Sequence, residues 1–346
     1  MTSARRHITL CCAAAIALTL SACGGSHHHA VAATSSATPT PSPTHTTAAP
    51  SQPAPVPVNP FTGGTPSGNR VVAVKIDDTA NGRPQVNINL ADIVYIEQVE
   101  GGLTRLVAVY DTSLPVVEAV RSTRANDPEL LGQYGPIAYV ASGGAPNPLA
   151  VLDNSALKSS INDRGGPGFA RDPNREVPYN LTANLSAVAG ALKTPKAKDI
   201  GLQWGAGVNL SALPVARTLR TVVGSTAVRF DWVAPLGKYV RVIDGVLQRT
   251  AAGTPIATPN VIVQFCAVTP YPQDTDVNGN PSQFTHSIGS GRAVIFRGGH
   301  LIDGTWSRAS LTAPTLFKSK SGTVTTLAPG GAWVVLVATG TLLTSS

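Results

Sequence analysis

Residues 92–124 read DIVYIEQVEGGLTRLVAVYDTSLPVVEAVRSTR, and this stretch decides the fold. Residues 93–99 and 103–110 are rich in β-branched and aromatic side chains, and Glu100-Gly101-Gly102 between them supplies a glycine turn. That pattern predicts a β-hairpin. Successive side chains on a strand point to opposite faces, so Ile93, Tyr95, Glu97 and Val99 share one face and Val94, Ile96, Gln98 and Glu100 the other. The stretch also concentrates charge: it holds three of the chain's five glutamates (Glu97, Glu100, Glu118) and the arginines Arg105, Arg121 and Arg124.

Upstream, the folded part opens at Asn59-Pro60-Phe61-Thr62-Gly63, and the β-branched run 71–76 reads as a strand ending at Asp77-Asp78-Thr79. Downstream, 137–140 reads as another strand, and 149–157 and 185–192 as helices, the second capped by Asn184 or Thr182. After Leu202, turn signals separate short β-prone runs at 227–233, 238–242, 260–268, 292–296, 324–327 and 333–337. Strands at this spacing without helical patterns between them predict a largely antiparallel arrangement. The expected fold is α+β: an N-terminal mixed α/β domain over 59–200 and a β-rich C-terminal domain over 201–346, with the texture changing near 195–210.

The N-terminus reads as delivery. Arg5 and Arg6 precede an apolar run over 8–20 that is too short for an ordinary transmembrane helix and is followed by small residues, the grammar of a signal peptide over 1–22. Leu20-Ser21-Ala22-Cys23 is a lipobox, so Cys23 is expected to carry palmitate-type lipid and to anchor the protein to the cell membrane on its extracytoplasmic face. From Gly24 to about Pro60 the chain is mostly Ala, Thr, Ser and Pro and lacks Asp, Glu, Lys and Arg, which predicts a disordered tether over 23–58. At ~3 Å per residue in polyproline form the tether reaches ~100 Å, across much of a thick wall.

The formal charge is +7; without Arg5 and Arg6, 24 basic residues face 19 acidic ones, a net +5 with no dense basic cluster. That balance suits an anionic envelope surface and argues against nucleic acid as a partner. Cys11 and Cys12 leave with the signal peptide, so Cys266 is the one cysteine of the folded body and no disulfide is expected within it. Lying in the apolar run 261–266, it reads as a small buried hydrophobe.

The ordered motifs Asn59-Pro60-Phe61-Thr62-Gly63, Ala73-Val74-Lys75-Ile76-Asp77, Arg83-Pro84-Gln85, Ala91-Asp92-Ile93-Val94-Tyr95, Glu100-Gly101-Gly102-Leu103-Thr104-Arg105 and Val120-Arg121-Ser122-Thr123-Arg124 carry a resemblance. It continues through Gly143-Gly144, Arg171-Asp172, Arg175, Pro178-Tyr179-Asn180-Leu181, Tyr239-Val240-Arg241, Asn260-Val261 and Gly304-Thr305-Trp306. The chain resembles the YerB-like bacterial lipoproteins, a family defined by a two-part domain of unknown function. The resemblance covers nearly all of 59–337. It implies an N-terminal α/β part and a C-terminal β-rich part on an extracytoplasmic lipoprotein, and no assigned reaction.

The remaining chemistry is found by elimination. The folded body has two histidines, His286 and His300, and no Gly-x-Ser-x-Gly, His-Glu-x-x-His or Cys-x-x-Cys motif. Gly101-Gly102 and Gly298-Gly299 lack the lysine of a phosphate loop, and His27, His28 and His29 in the tether lack carboxylate neighbours. Neither metal nor cofactor is expected. Carboxylates and arginines are left. Glu100, beside the flexible turn, or Glu97, in an apolar strand face, would serve as a general acid if burial raised its pKa, as in glycan-cleaving enzymes. The competing reading is a salt bridge to Arg105, Arg121 or Arg124. Arg105, Arg121, Arg124, Arg171 and Arg175 with Asp77, Asp172 and Asn180 would form an anion-recognition cleft, since guanidinium forks bind carboxylates and phosphates, or the arginines would pair internally with Asp172, Glu176 and Asp127. Peptidoglycan stems and wall polymers carry such groups. Trp204, Trp232, Trp306 and Trp333 read as core or as sugar-stacking faces. The expected function is a surface-tethered cell-envelope lipoprotein that recognises, and cleaves or remodels, cell-wall glycan or an anionic envelope polymer. The alternative is a non-catalytic scaffold docking on a protein partner.

Overall fold

In the computed structural model, which describes residues 57–205, 207–276 and 279–346, strands from both ends of the chain meet in one ten-stranded sheet. Strand β1 (Val72–Asp77) is followed by the predicted hairpin, β2 (Ile93–Gln98) and β3 (Thr104–Tyr110). Across the sheet the order is Leu316–Ser319, His300–Arg308, Gly289–Arg297, Asn260–Cys266, Ala332–Ala338, β2, β3, β1, Ala138–Ala141 and Lys158–Ile161. The signal peptide, Cys23 and the tether up to residue 56 lie outside the described residues. Among those described, no helix is long and apolar enough to cross a membrane.

The sheet does not divide where the sequence texture changes. Ala332–Ala338 lies parallel to β2, with Val94 opposite Trp333, and parallel to Asn260–Cys266 on its other side. The N-terminal hairpin is therefore completed by the last long strand of the chain. The architecture is α+β, with antiparallel pairs in the second half broken by this parallel insertion.

Both faces of the sheet are covered, which explains why its central strands carry apolar residues at nearly every position. Val74, Ile76, Val94, Ile96, Leu106, Ala108, Val263 and Val335 pack on one face against helix α3 (Leu185–Leu192) and a second sheet built on Thr218–Val223, Thr226–Val233 and Lys238–Ile243. Asn184 caps α3 as predicted, its side chain accepting from the Ala187 N–H at 3.1 Å. Ala73, Ile93, Tyr95, Val107, Val109 and Val334 form the other face, under helix α1 (Asp127–Leu131), helix α2 (Pro146–Asp153) and Ile200.

One buried ion pair ties the second sheet to the first. Arg241 donates two bonds of 2.7 Å to the Asp78 carboxylate, and Thr104 Oγ1 donates to the same carboxylate at 2.7 Å. The Arg241 guanidinium also lies over the Trp333 ring at 5.3 Å, so one side chain joins the end of β1 to the last long strand.

An excised fragment of residues 59–200 is expected to stay unfolded, because β2 would lose its parallel neighbour and expose an apolar edge. Backbone amide dispersion in an NMR spectrum of the fragment checks this, and native-like dispersion would refute it.

Candidate functional site

At one end of the second face the apolar pattern gives way to charge. Alternation places Lys75 and Asp77 of β1, Glu97 of β2 and Arg105 of β3 on the side of Ala73, Tyr95 and Val107. Because β3 lies between β1 and β2, its Arg105 stands opposite Asp77 on one side and Glu97 on the other. Asp77 and Arg105 form the floor of the site, and Lys75 and Glu97 are buried beneath it.

Behind the floor is a closed network. Lys75 has no exposed surface; its ammonium contacts Glu97 and lies 2.6 Å from Asp127, at the first turn of α1. Glu97 also accepts from Asn126 Nδ2 at 2.8 Å, and Asp127 from Thr123 Oγ1 at 3.0 Å, from the Arg124 N–H at 2.8 Å and from the Tyr139 hydroxyl. Burial lowers the Lys75 pKa, while contact with Asp127 acts against that shift.

In front of the floor the chain passes through Val120 to Arg124 and makes one wall of a cleft of about 560 Å³. Arg121 Nε lies 2.8 Å from Asp77, whose other oxygen accepts from the Thr79 N–H and hydroxyl at 2.7 and 2.6 Å. The Tyr179 ring covers the Arg121 guanidinium at 5.4 Å. Arg124 contacts Glu100, with its Nη2 2.6 Å from Oε2. Arg105 is different. It is 9 % exposed, lines the cleft, donates to the Ser122 carbonyl at 3.1 Å, and has no carboxylate within 4.0 Å among the described residues. Burial first, and then repulsion from Arg124 and Arg121 against attraction to Glu100 and Asp77, push its pKa down to about 9.

The second half of the chain supplies the remaining wall. The hairpin Val268–Thr275 with Pro281–Thr285 loses register between Tyr271 and Thr275, an irregularity beside the cleft-lining Asp274. Ser282 Oγ bridges Glu100 and Asp274, at 2.5 Å from the latter. The turn of the first hairpin is held from the second sheet: the Gly102 carbonyl accepts from the Ser225 N–H at 2.9 Å and from the hydroxyls of Ser225 and Thr226 at 3.1 and 3.2 Å. Gly102 has φ +73°, and a Cβ there would lie 2.5 Å from Ser225 Oγ, so the position requires glycine.

The structure distributes the sequence candidates unevenly. Asp77, Glu100, Arg105, Arg121 and Arg124 line one cleft, whereas Glu97 is absorbed by Lys75 and Asn126 beneath it. Arg171 bonds Asn180 at 2.7 Å, Asn180 bonds the Asp172 carbonyl, and Asp172 caps the Asn174 N–H, so this trio is a local turn outside the cleft lining. Arg175 reaches the carbonyls of Asn81 and Pro84 and approaches Glu118 at 3.5 Å. The proton-donor role expected of Glu100 meets an opposing arrangement. Desolvation alone would raise its pKa, but the Arg124 bonds and charge, with Ser282, outweigh it and hold the carboxyl at about 2.

Sequence reasoning missed Lys75, Thr104, Asp274 and Ser282 as parts of the site. Lys75 sits in an apolar strand run, where a charge is the available signal; Asp274 and Ser282 have none, since only the long-range sheet brings them to Glu100. The histidines lie elsewhere, His286 against Thr269 at 3.0 Å and His300 on the Leu213 carbonyl at 3.1 Å. No tryptophan lines the cleft; Trp204 and Trp306 donate to Pro60 and Phe265 carbonyls, and Trp232 and Trp333 pack on Tyr239 and Phe230.

Comparison with known proteins places this geometry. Residues 61–198 match the family described as Protein of unknown function (DUF3048), N-terminal domain, and residues 218–334 match the DUF3048 C-terminal domain. The chain belongs to this family. It is 23 % identical over 287 residues to a Bacillus subtilis (strain 168) protein named "Putative lipoprotein YerB", over 78 % of this chain and 81 % of that protein. The crystal structure of YerB from Bacillus subtilis aligns with a TM-score of 0.70 at 19 % identity, covering 84 % of this chain and 100 % of that one, and this likeness is one of fold. The two DUF3048 parts build the cleft jointly, the first supplying Glu100, Arg105, Arg121 and Arg124 and the second Asp274 and Ser282.

Glu100 is expected to contribute to acid stability with a definite sign. Its folded pKa of about 2 lies below the ordinary 4.5, so its ionised form stabilises the fold above about pH 4.5 and that contribution is lost as the pH falls towards 2. Glu100→Gln should flatten this part of the acid limb. Urea midpoints measured from about pH 5 to about pH 2 check it, and an unchanged slope counts against the assignment.

Proposed function

We propose that this protein is a lipid-anchored envelope protein whose cleft binds an anionic group of the cell wall, by recognition and without cleavage. The observation that carries the reading is Arg105: a guanidinium 9 % exposed, lining a cleft, with no carboxylate within 4.0 Å among the described residues. A buried charge without a counter-ion is costly, and an oxyanion entering the cleft supplies one in a fork geometry suited to guanidinium. Glu100, held ionised by Arg124, is a poor proton donor at neutral pH, which favours binding over glycoside hydrolysis. The lipobox at Cys23, the tether and the similarity to a protein named as a lipoprotein support an anchor on the extracytoplasmic face.

A second reading has one observation in its favour. An apolar groove of about 770 Å³, lined by Pro128, Val151, Leu157, Phe284, Ile288 and Leu311, suits a protein partner of the scaffold kind. Crosslinking that recovers one stoichiometric envelope protein, together with no wall affinity, selects this reading over the first.

The purified mature chain carrying Cys23→Ser is expected to co-sediment with purified sacculi without releasing muropeptides. Arg105→Gln should weaken that retention ~10-fold or more, the scale of a lost charge-assisted bond. Muropeptide release, or retention unaffected by Arg105→Gln, overturns the proposal. In cells, Cys23→Ser should move the protein from the membrane fraction to the soluble extracytoplasmic fraction, as immunoblotting would show.

A further inference from the structure

The charges lining the cleft do not cancel locally. Arg121 has Asp77 at 2.8 Å, and Arg124 has Glu100 in direct contact, so these two guanidinium groups are matched. Asp274 then stands 3.8 Å from an Arg124 already occupied by Glu100, and accepts from Ser282 at 2.5 Å. On the other side Arg105 has no carboxylate within 4.0 Å among the described residues. Among the described residues Arg105 of the sheet is thus a buried cleft-lining cation without an ion pair, and Asp274 of the second-half hairpin is a buried cleft-lining anion that shares Arg124 with Glu100. Burial makes each imbalance expensive, and it disfavours a ligand that corrects one while worsening the other.

A purely anionic ligand satisfies Arg105 but brings a negative charge towards Asp274, Glu100 and Asp77. A ligand with an ammonium beside its oxyanion satisfies both. The cleft lining offers hydroxyl and amide groups at Thr79, Thr104 and Asn280 for the atoms between, and no tryptophan face on which a sugar ring would stack. Selection therefore rests on charge placement more than on stacking.

We propose that the cleft recognises a zwitterionic amino-acid group of the wall peptide, its carboxylate on Arg105 and its ammonium on Asp274. This inference rests on the binding function proposed above and narrows its ligand from wall anions in general to a free diamino-acid end, in which one carbon carries both charges. Arg121 and Arg124, each held by its own carboxylate, position the walls, and Tyr179 covers the Arg121 side.

The test uses the mature chain with Cys23→Ser and two probes, meso-diaminopimelate and its N,N′-diacetyl derivative, which keeps the carboxylates and removes both ammonium groups. Calorimetric titration is expected to give ~10-fold or more tighter binding for the free diamino acid. Arg105→Gln should weaken binding of both probes by ~10-fold or more. Asp274→Asn should bring the two probes to within ~2-fold of each other. The probe comparison on the unsubstituted cleft stands even if Asp274→Asn fails to fold. Equal affinity for the two probes overturns the zwitterion assignment, as does the absence of binding by either probe when sacculi are still retained through Arg105. Loss of sacculus retention itself is a separate result, and it overturns the underlying binding function.

Discussion

The contact on which this structure depends is the one Lys75 makes with Glu97 and Asp127. An ammonium with no exposed surface lies between two carboxylates, and the three charges come from β1, β2 and the first turn of α1. Such trios often contribute little net stability, because desolvation offsets their attraction, but removing one member leaves a buried charge uncompensated. Their effect here is positional. Asp127 is also bonded by Thr123 and by the backbone N–H of Arg124, so the segment carrying Arg121 and Arg124 is seated over the end of the sheet in one arrangement.

From that seat the cleft follows. Above that network Arg121 engages Asp77 and Arg124 engages Glu100, and Arg105, with no carboxylate within 4.0 Å among the described residues, lines the cavity. The far wall is equally dependent on tertiary structure. Gly102 is held by Ser225 and Thr226, and Glu100 by Ser282, so the hairpin turn of the first half has its conformation determined by residues more than a hundred positions later. Neither DUF3048 part contains a complete cleft, and neither contains a complete sheet.

The hairpin, the strand before it, the second helix of the predicted pair and its Asn184 cap were legible because each is a local signal: a glycine turn, β-branched runs, a short polar side chain before an apolar helical pattern. Strand alternation put Glu100 on the face opposite Glu97, but Glu100 begins the turn 100–102 beyond the end of β2, and its carboxylate lines the cleft on the same side beneath which Glu97 is buried. The grouping of Arg171, Arg175, Asp172 and Asn180 with the cleft did not follow, because these residues lie in a turn that satisfies itself through Asn180 and Asp172. The protonation of Glu100 was equally illegible. Burial and a facing arginine shift a carboxyl in opposite directions, and only the distance to Arg124 settles which dominates.

By itself the sequence determined the class of strands and turns, the lipobox motif and the charge-poor composition of the segment after it, and the absence of the usual nucleophile and metal motifs, since all of these are set by residues within a turn or a strand of one another. Tertiary structure decided that the two halves share one sheet, that Ala332–Ala338 completes the hairpin, and that Asp274 faces the same cavity as Arg105. Those outcomes depend on pairings across more than a hundred residues. Whether a charge is neutralised by a neighbour or left facing a cleft is a matter of a few ångströms between side chains that the linear order does not bring together.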